Sequence, residues 1–489
     1  MKTGRLNLGQ FGGWKNFCAV LLFLAAAAVS QAQVFETLVT FTGRNGQQAT
    51  VPVQGLDGEL YATGQFGGTN GWGTAFKTTL TGDLTTLDNF CEQCAVGGEP
   101  EYGGLMLAFD GSFYGATMTG GTGNDGTIFR LRAEGTLTTL YNFGASGGPI
   151  LMNPRLVQVS NGNFYAASPY GGQSCLSTDS TCGTVFKMTP SATVTTVYNF
   201  CSQINGLNCL DGQHPSSLLL GRNGRLYGTT SGGGTFQGGT VFEISRAGAL
   251  KTLYNFCSQT NCADGANPDS IIQGADGNFY GATSLGGNDN NGTLFKLTPD
   301  GALTTLYTFC SRTQCNDGAT PGPLMQASDG NLYGFTVSGG DPKCMAGGCG
   351  TIFELSRAGK FFVLHTFSHT DGALPNGLMQ DTNGNFYGTT DEGGDRTCDC
   401  GTLFSLSTGL SPFVAFVRPF GSIGQSGGIL GQGFTGTTGV FLNGSPVAFT
   451  VISDTYIQAT VPAGATTGFV TVMTPTGALT SNVVFRVGS

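Results

Sequence analysis

Four short apolar segments recur in a fixed order along most of the chain. In one repeat they are SSLLLG at 216–221, RLYGTT at 225–230, GTVFEIS at 239–245 and LKTLYNF at 250–256. Each segment is rich in Leu, Val, Phe, Tyr or Thr and is bounded by glycine, proline or polar residues. This pattern predicts four short β-strands per repeat, here named strands A, B, C and D.

The phrase that carries strand B, of the type DGNFYGATSLGG, occurs seven times. The copies start at residues 57, 110, 161, 223, 276, 329 and 383. A period near 50 residues indicates a repeat architecture. Strands C and D carry apolar residues on both faces, as in blades that stack around an axis. The sequence therefore predicts an all-β, seven-bladed β-propeller, with a linear β-solenoid as the alternative, although solenoid repeats are usually shorter.

Fragments at the two ends of the repeat region complement each other. FETLVTF, at 35–41, has the pattern of a strand D without its own A, B and C. GTLFSLS, at 401–407, is a strand C without its D. We expect the N-terminal strand to close the last blade, because this pairing removes two exposed sheet edges at once.

The link between strands A and B is Asp-Gly or Asn-Gly, which predicts a two-residue type I′ hairpin. The aspartates of these links are interpreted as turn residues, with calcium binding as the alternative: Asp57, Asp110, Asp276 and Asp329. The A–B and C–D links are tight and share one face, here called the tight-turn face. The B–C and D–A links share the opposite, loop-rich face.

Composition and charge exclude several classes of protein. The chain has 489 residues with 82 glycines, 10% charged residues and a net charge of -9. So few charges do not fit a disordered polyanion, and an acidic balance does not fit nucleic-acid binding. Three histidines leave little room for His-based metal or acid–base chemistry. No nucleophile or metal-hydrolase motif occurs, so we expect the protein not to be an enzyme.

The N-terminus has the pattern of a cleavable signal peptide over residues 1–32. Basic residues precede an apolar run at 18–29, and Ser30-Gln31-Ala32 offers a cleavage site. The run is too short to span a bilayer, and Cys18 lacks a lipobox. The sequence predicts a protein that is secreted or held at the cell surface.

Apart from Cys18, the cysteines fall into local pairs. Even numbers of cysteines in an exported chain predict disulfides. The pairs are Cys91-Cys94, Cys175-Cys182, Cys201-Cys209, Cys257-Cys262, Cys310-Cys315, Cys344-Cys349 and Cys398-Cys400. The alternative is zinc, but only Cys91 and Cys94 have the spacing of a zinc knuckle. The last pair is the weakest, since bridging across one residue strains the ring.

The loop-rich face carries the candidate ligand residues. Four aspartates open DGxxP stretches that lead into strand A: Asp211, Asp264, Asp317 and Asp371. If strand A is innermost, these carboxylates lie near one mouth of a central channel, where they would hold calcium or another cation. The alternative is turn chemistry before a strand that starts with proline. Trp72, in a B–C loop, is expected either to stack on a sugar or to pack between blades. His214, beside Asp211, is a candidate acid–base or ligand residue.

The phrases DGNFYGATSLGG, GTLFKLTPDGALTTLYTF and DGATPGPLMQASDGNLYG resemble the GloVer (Gloeo_Verruco) tandem repeat of secreted bacterial proteins. The resemblance covers residues 35–407. It implies export, repeated β structure and a C-terminal module that often serves for anchoring, and it supplies no catalytic residues. The Gly-Gly pairs are also similar to those of kelch blades, but the kelch tryptophan is missing.

The rhythm changes after Ser411, and the remainder resembles an IPT/TIG domain, an immunoglobulin-like sandwich. The matching features are Pro419, Gly431-Gln-Gly-Phe434, Asn443-Gly444 and the phrase SDTYIQATVP. We therefore expect a signal peptide at 1–32, a propeller at 33–408 and a sandwich at 411–489.

These features favour a monomeric, non-catalytic protein that binds an extracellular polysaccharide or a cell-surface partner through its loop-rich face. A structural surface component without a small ligand is the first alternative. The second is a polysaccharide lyase or glycosidase that uses channel-mouth carboxylates, at least one of which would need a raised pKa.

Overall fold

The computed structural model describes residues 33–92, 94–100, 103–144, 155–172, 182–206 and 208–488. These residues form an all-β structure. Its helical content is limited to three single 3-10 turns, at Thr260–Cys262, Asn288–Asn290 and Thr313–Cys315. Among the described residues, no helix has the length and apolar character needed to cross a bilayer.

The repeat region forms seven antiparallel sheets, numbered here in chain order, and each contains strands A to D. Strand β1 is Val34–Thr40. Sheet 1 contains β2 (Gln47–Ala49), β3 (Val53–Gln54), β4 (Leu60–Phe66), β5 (Thr74–Thr78) and β6 (Leu84–Asn89). Sheet 2 contains β7 (Met106–Leu107), β8 (Phe113–Thr117), β9 (Thr127–Leu131) and β10 (Leu137–Asn142). Sheet 3 contains β11 (Val157–Gln158), β12 (Phe164–Ser168), β13 (Thr184–Met188) and β14 (Val194–Asn199).

The other sheets follow the same order. A small hairpin of β15 (Ile204–Asn205) and β16 (Asn208–Cys209) precedes sheet 4. Sheet 4 contains β17 (Gln213–Leu220), β18 (Leu226–Gly232), β19 (Thr240–Ile244) and β20 (Leu250–Asn255). Sheet 5 contains β21 (Ala266–Gln273), β22 (Phe279–Leu285), β23 (Thr293–Leu297) and β24 (Leu303–Thr308). Sheet 6 contains β25 (Ala319–Pro321), β26 (Met325–Gln326), β27 (Leu332–Ser338), β28 (Thr351–Leu355) and β29 (Phe361–Thr366). Sheet 7 contains β30 (Ala373–Gln380), β31 (Phe386–Glu392), β32 (Thr402–Ser407) and β1.

The N-terminal strand completes the last sheet, as the sequence predicts. Strand β1 pairs antiparallel with β32, with Val34 opposite Ser407 and Thr40 opposite Thr402. Phe41, directly after β1, is fully buried and donates its main-chain N–H to Gly401 O at 3.0 Å. The two ends of the repeat region are therefore joined within one sheet.

Apolar clusters lie between successive sheets and continue around the repeat region. One cluster joins sheet 1 to sheet 2 through Tyr61 and Phe113, whose rings stack with centroids 4.2 Å apart. Another joins sheet 7 back to sheet 1, since it contains Val39 and Leu403 together with Phe76. This circuit of four-stranded sheets buried on both faces is compatible with a propeller-like fold.

The A–B link differs from the prediction of a two-residue type I′ hairpin. In sheet 1, Gly58 N donates to Gly55 O, and Gly58 alone adopts a left-handed conformation, with φ of 81°. Asp57 stays at negative φ because its carboxylate accepts hydrogen bonds from Glu59 N at 3.2 Å and from the Tyr61 hydroxyl at 2.7 Å. The aspartate is a turn residue, but it also fixes the tyrosine of the B strand.

Residues from Ser411 onward form a separate unit with two four-stranded antiparallel sheets. The first contains β33 (Ala415–Phe416), β35 (Ser426–Leu430), β38 (Ala448–Ser453) and β39 (Tyr456–Thr460); the second contains β36 (Gly439–Leu442), β37 (Ser445–Pro446), β40 (Val470–Thr474) and β41 (Gly477–Thr480). Strands β34 (Phe420–Ser422) and β42 (Arg486–Gly488) pair in parallel. Phe434, from the GQGF phrase, is fully buried in the core between the sheets.

The C-terminal unit lies against the tight-turn face of the repeat region. It contacts the A–B turns of sheets 1, 2 and 7. The contacts include a hydrogen bond from Thr455 Oγ1 to Leu56 O (3.0 Å), a ring contact between Phe420 and Phe109 (5.6 Å between centroids) and a hydrogen bond from Gln432 Nε2 to Thr382 Oγ1 (3.1 Å). The loop-rich face is on the opposite side and is not covered by this unit.

Candidate functional site

The cysteine pairs lie in the B–C and D–A links, on the loop-rich face. Six predicted pairs are at disulfide-bonding distance: Cys91-Cys94, Cys201-Cys209, Cys257-Cys262, Cys310-Cys315, Cys344-Cys349 and Cys398-Cys400. Cys182 is also disulfide-bonded, and its predicted partner Cys175 lies outside the described residues. Pairing of Cys91 with Cys94 leaves no thiolates there for the zinc alternative. These pairs are consistent with an extracellular protein.

The four DGxxP aspartates each fix their own D–A loop. Asp264 is fully buried, and its Oδ2 accepts hydrogen bonds from the Tyr254 hydroxyl at 2.8 Å and from Ser258 N at 3.0 Å. Its Oδ1 accepts from Gln259 N at 3.2 Å. Asp211 and Asp317 have equivalent partners. A tyrosine from strand D and the loop that follows it are therefore held by one carboxylate.

Asp371 has the same place in sheet 7, with His365 in place of the tyrosine. His365 Nε2 lies 3.0 Å from Asp371 Oδ2, and Ser368 N donates to Oδ1 at 2.8 Å. Burial alone would raise the pKa of Asp371, but these hydrogen bonds outweigh it and hold the pKa below its usual value. No hydrogen bond or ion pair joins any two of the four aspartates, all of which are described. The contacts favour the structural role, and calcium binding by these residues stays a prediction.

The other two candidate residues are partly enclosed. Trp72 is half-buried, and its main-chain carbonyl accepts a hydrogen bond from Glu99 N at 2.8 Å, in the link that leads to sheet 2. His214 is half-buried beside Tyr170, with ring centroids 5.7 Å apart. The sequence pairs His214 with Asp211 as candidate ligand residues. Both residues are described, and no hydrogen bond joins them.

A different set of polar residues lies at the inner strands. Each follows the proline that opens strand A: Arg155, Ser216, Asp269 and Asn376. Ser216 Oγ of sheet 4 donates to Asp269 O of sheet 5 at 2.7 Å. Asn376 Nδ2 of sheet 7 donates to Ala49 O of sheet 1 at 2.9 Å. Because strands A of neighbouring sheets touch in this way, these residues lie along the inner edge of the circuit of sheets. We call them the axial residues, together with Asp391.

Two axial carboxylates are perturbed by their surroundings. Burial raises the pKa of Asp269, and the positive charge of Arg155, from a sheet two positions away, partly opposes this. Burial also raises the pKa of Asp391 to about 6, although Asn376 donates a hydrogen bond to it. The Asn376 amide is fixed in turn by Thr389 Oγ1, which donates to its Oδ1 at 2.6 Å. The axial residues thus combine charge, hydrogen-bonding groups and partial burial in one place.

Sequence reasoning missed the axial residues, although the repeats contain a signal for them. The position after the strand-opening proline is Arg155, Ser216, Asp269, Gly322 and Asn376 in successive repeats, whereas the proline itself is present in all five. A position that varies inside a constant scaffold does not serve the repeat fold, and this makes it a candidate for binding.

Comparison with known families agrees with the repeated structure. Residues 27–210, 179–341 and 311–441 match the Gloeobacter/Verrucomicrobia repeat. Together the three matches span more than four-fifths of the chain. The chain belongs to this repeat family. Membership in this family confirms the resemblance that the sequence shows over the repeat region. It does not test the resemblance of the C-terminal unit to an IPT/TIG domain.

Comparison of this member of the repeat family with solved structures finds remote matches at low sequence identity. A fungal alcohol oxidase of the AA5 family, solved with copper, is 12% identical, with a TM-score of 0.51 over 93% of this chain and 99% of that one. An extracellular domain assigned to a hybrid two-component system of B. thetaiotaomicron has 13% identity and a TM-score of 0.48, over 93% of this chain and 55% of that one. An aldose sugar dehydrogenase from Streptomyces coelicolor, with bound PQQ, has 13% identity and a TM-score of 0.39, over 62% of this chain and 92% of that one. No curated protein matches the chain. The first likeness supports an all-β fold and carries no activity to this chain.

Proposed function

We propose that the protein is a secreted, non-catalytic binding protein whose axial residues and surrounding loops contact an extracellular polysaccharide or a cell-surface partner. In this proposal residues 1–32 are a signal peptide that directs export. Residues 33–408 are a seven-bladed β-propeller, and residues 411–489 are an IPT/TIG-like, immunoglobulin-like domain. The protein acts as a monomer.

The observation that carries the proposal is the concentration of unlike polar residues at the inner edge of otherwise similar sheets. Arg155, Asp269 and Asn376 each follow the proline that opens strand A and offer a cation, an anion and an amide. Polar groups of this kind fix the orientation of a hydroxyl-rich ligand. The loops around them are stiffened by disulfides and by the buried aspartates, which reduces the entropy lost on binding.

A binding experiment with two isosteric variants tests the proposal. We expect residues 33–489 to bind at least one polysaccharide or surface fraction of a panel, and Asp269→Asn to weaken that binding by roughly tenfold, because it removes a negative charge from the axial residues. Affinity electrophoresis or calorimetry measures the change. Asp289→Asn is the matched control, since Asp289 is exposed on the same face in a B–C link. Equal loss of binding in both variants, or no binding by the unmodified protein, would contradict the proposal.

Polysaccharide cleavage is a second candidate function, favoured by the pKa of Asp391. A carboxyl group with a pKa of about 6 can donate or accept a proton near neutral pH. If the protein is a lyase or glycosidase, incubation with polysaccharides will release unsaturated or reducing ends, and Asp391→Asn will abolish the release. Absence of product with the unmodified protein would exclude this function for the substrates tried and leave the binding role, or a structural surface role without a small ligand.

A further inference from the structure

A cleft of about 690 Å³ separates the C-terminal unit from the tight-turn face at sheets 3 and 4. Three arginines line it: Arg222 and Arg246 from sheet 4, and Arg486 from strand β42. None of the described residues that line it is an aspartate or a glutamate. Three positive charges in one cleft are unexpected in a chain with a net charge of -9, which has 21 basic residues in total.

Among the described residues, no carboxylate forms an ion pair with any of these arginines. The ion pairs within the described part of the chain include none of the three. Arg246 Nε is buried and has no hydrogen-bond partner. Burial, and then the charge of Arg222, lower the pKa of Arg486. The charges therefore repel each other in a partly enclosed place, and a bound anion would relieve both effects.

The guanidinium groups are held in position on two sides of the cleft. Arg222 Nη1 donates to Ala275 O at 2.9 Å, and its main-chain N–H donates to Gln273 Oε1 at 2.9 Å. Arg486 lies over the ring of Phe420, 5.5 Å from the centroid. Fixed planar guanidinium groups suit bidentate binding of carboxylate and sulfate oxygens.

The repeats show that the fold does not need an arginine at the position of Arg222. The residue before the A–B Asp-Gly or Asn-Gly is Leu56, Phe109 or Thr382 where the turn contacts the C-terminal unit. At the same position, Ser160 and Arg222 face the cleft. Arg222 thus occupies this position in a turn that the cleft separates from the C-terminal unit.

We propose that this cleft binds an acidic saccharide through its carboxylate or sulfate groups. The oxyanion would lie between Arg246 and Arg486, with Arg222 at the entrance. Ser422, Gln425 and Thr467 also line the cleft and offer hydroxyl and amide groups to sugar hydroxyls. The volume is in the range of small-ligand pockets. The site is on the opposite face from the axial residues, so the inference does not rest on the function proposed for them.

The test is calorimetry with three small ligands: trigalacturonate, a sulfated chondroitin disaccharide and a neutral galactose trisaccharide. We expect the protein of residues 33–489 to bind one or both acidic sugars and not the neutral one, and to bind more weakly at about 200 mM than at about 20 mM salt. Carboxylate and sulfate are distinguished by which acidic sugar binds. Arg246→Ala and Arg486→Ala should each raise Kd by roughly tenfold or more.

Arg132→Ala is the matched control, because Arg132 is exposed on the same face and pairs only loosely with Glu134, at 3.9 Å. Unchanged thermal midpoints will show that the cleft variants are folded. The inference is overturned if neither acidic sugar binds, if the neutral sugar binds equally well, or if Arg132→Ala weakens binding as much as the cleft variants do. Asp269→Asn should leave this binding unchanged, which separates the cleft from the function proposed for the axial residues.

Discussion

A chain that begins at Thr42, without strand β1, is expected to lose the cooperative folding of the repeat region. Strand β1 provides one edge of sheet 7, and Val39 and Phe41 complete the cluster between sheets 7 and 1. Burial of these side chains and of half-buried Phe35 is worth about 5 kcal/mol. Typical proteins have a total stability of only about 5–15 kcal/mol. Removal also exposes the edge of β32, which favours aggregation.

Thermal unfolding of the two chains measures this effect. We expect the chain starting at Thr42 to be insoluble or to unfold at least about 10 °C below the chain starting at Gln33. A peptide of residues 33–42, added in trans, should restore part of the loss by pairing with β32. Equal midpoints for both chains would show that β1 does not close the circuit of sheets.

Asp381→Asn is expected to stabilise the protein at neutral pH. Asp381 is fully buried beneath the C-terminal unit, and its Oδ2 has no hydrogen-bond partner. Burial raises its pKa to about 6, against hydrogen bonds to Oδ1 from Asn383 N and Gln432 Nε2. A carboxyl group whose pKa is raised this far costs the folded state about 3 kcal/mol at pH 7. The uncharged amide avoids this cost, so we expect a gain of about 1–3 kcal/mol in the free energy of unfolding.

The raised pKa of Asp381 also predicts how the effect of Asp381→Asn on stability changes with pH. The pKa of Asp381 is higher in the folded state than in the unfolded state, so the folded state binds the proton of Asp381 more tightly. The stabilisation that this proton provides is fully present below about pH 4. It is lost as the pH rises through 6, so the gain from Asp381→Asn should shrink toward zero in acid. Denaturant unfolding between pH 4 and 8 measures it. Asp83→Asn, exposed on a tight turn, should show no such gain. A less stable Asp381→Asn variant at pH 7 would contradict the account.

The strands were predictable because their pattern is repeated and strongly apolar. Strands C and D of sheet 4, predicted at 239–245 and 250–256, are observed at Thr240–Ile244 and Leu250–Asn255. Strand A is less regular, since it has eight residues in sheet 4 but only Met106–Leu107 in sheet 2. Its pairing depends on how each D–A loop enters the sheet, and the apolar pattern does not encode this.

The candidate residues were harder to predict, because their roles depend on contacts distant in sequence. Asp264 looks like a free acidic residue, and only the structure brings the Tyr254 hydroxyl, ten residues earlier, to its carboxylate. Asp269 lies in no recognisable sequence motif. Its proximity to Arg155 depends on how sheets 3 and 5 are placed around the circuit. Repetition made the scaffold easy to recognise and drew attention away from positions at which the repeats differ, such as the one after the strand-opening proline.

Hydrogen exchange of residues 33–489 with and without a bound polysaccharide or surface partner tests the central claim most directly. If the axial residues form the binding site, exchange will slow at the starts of strands A, around Asp269 and Asn376, and in the neighbouring loops of the loop-rich face. The tight turns on the opposite face will be unchanged by a neutral ligand. Slowing by a neutral ligand that is confined to that opposite face, or no slowing with any ligand of the panel, would contradict the claim.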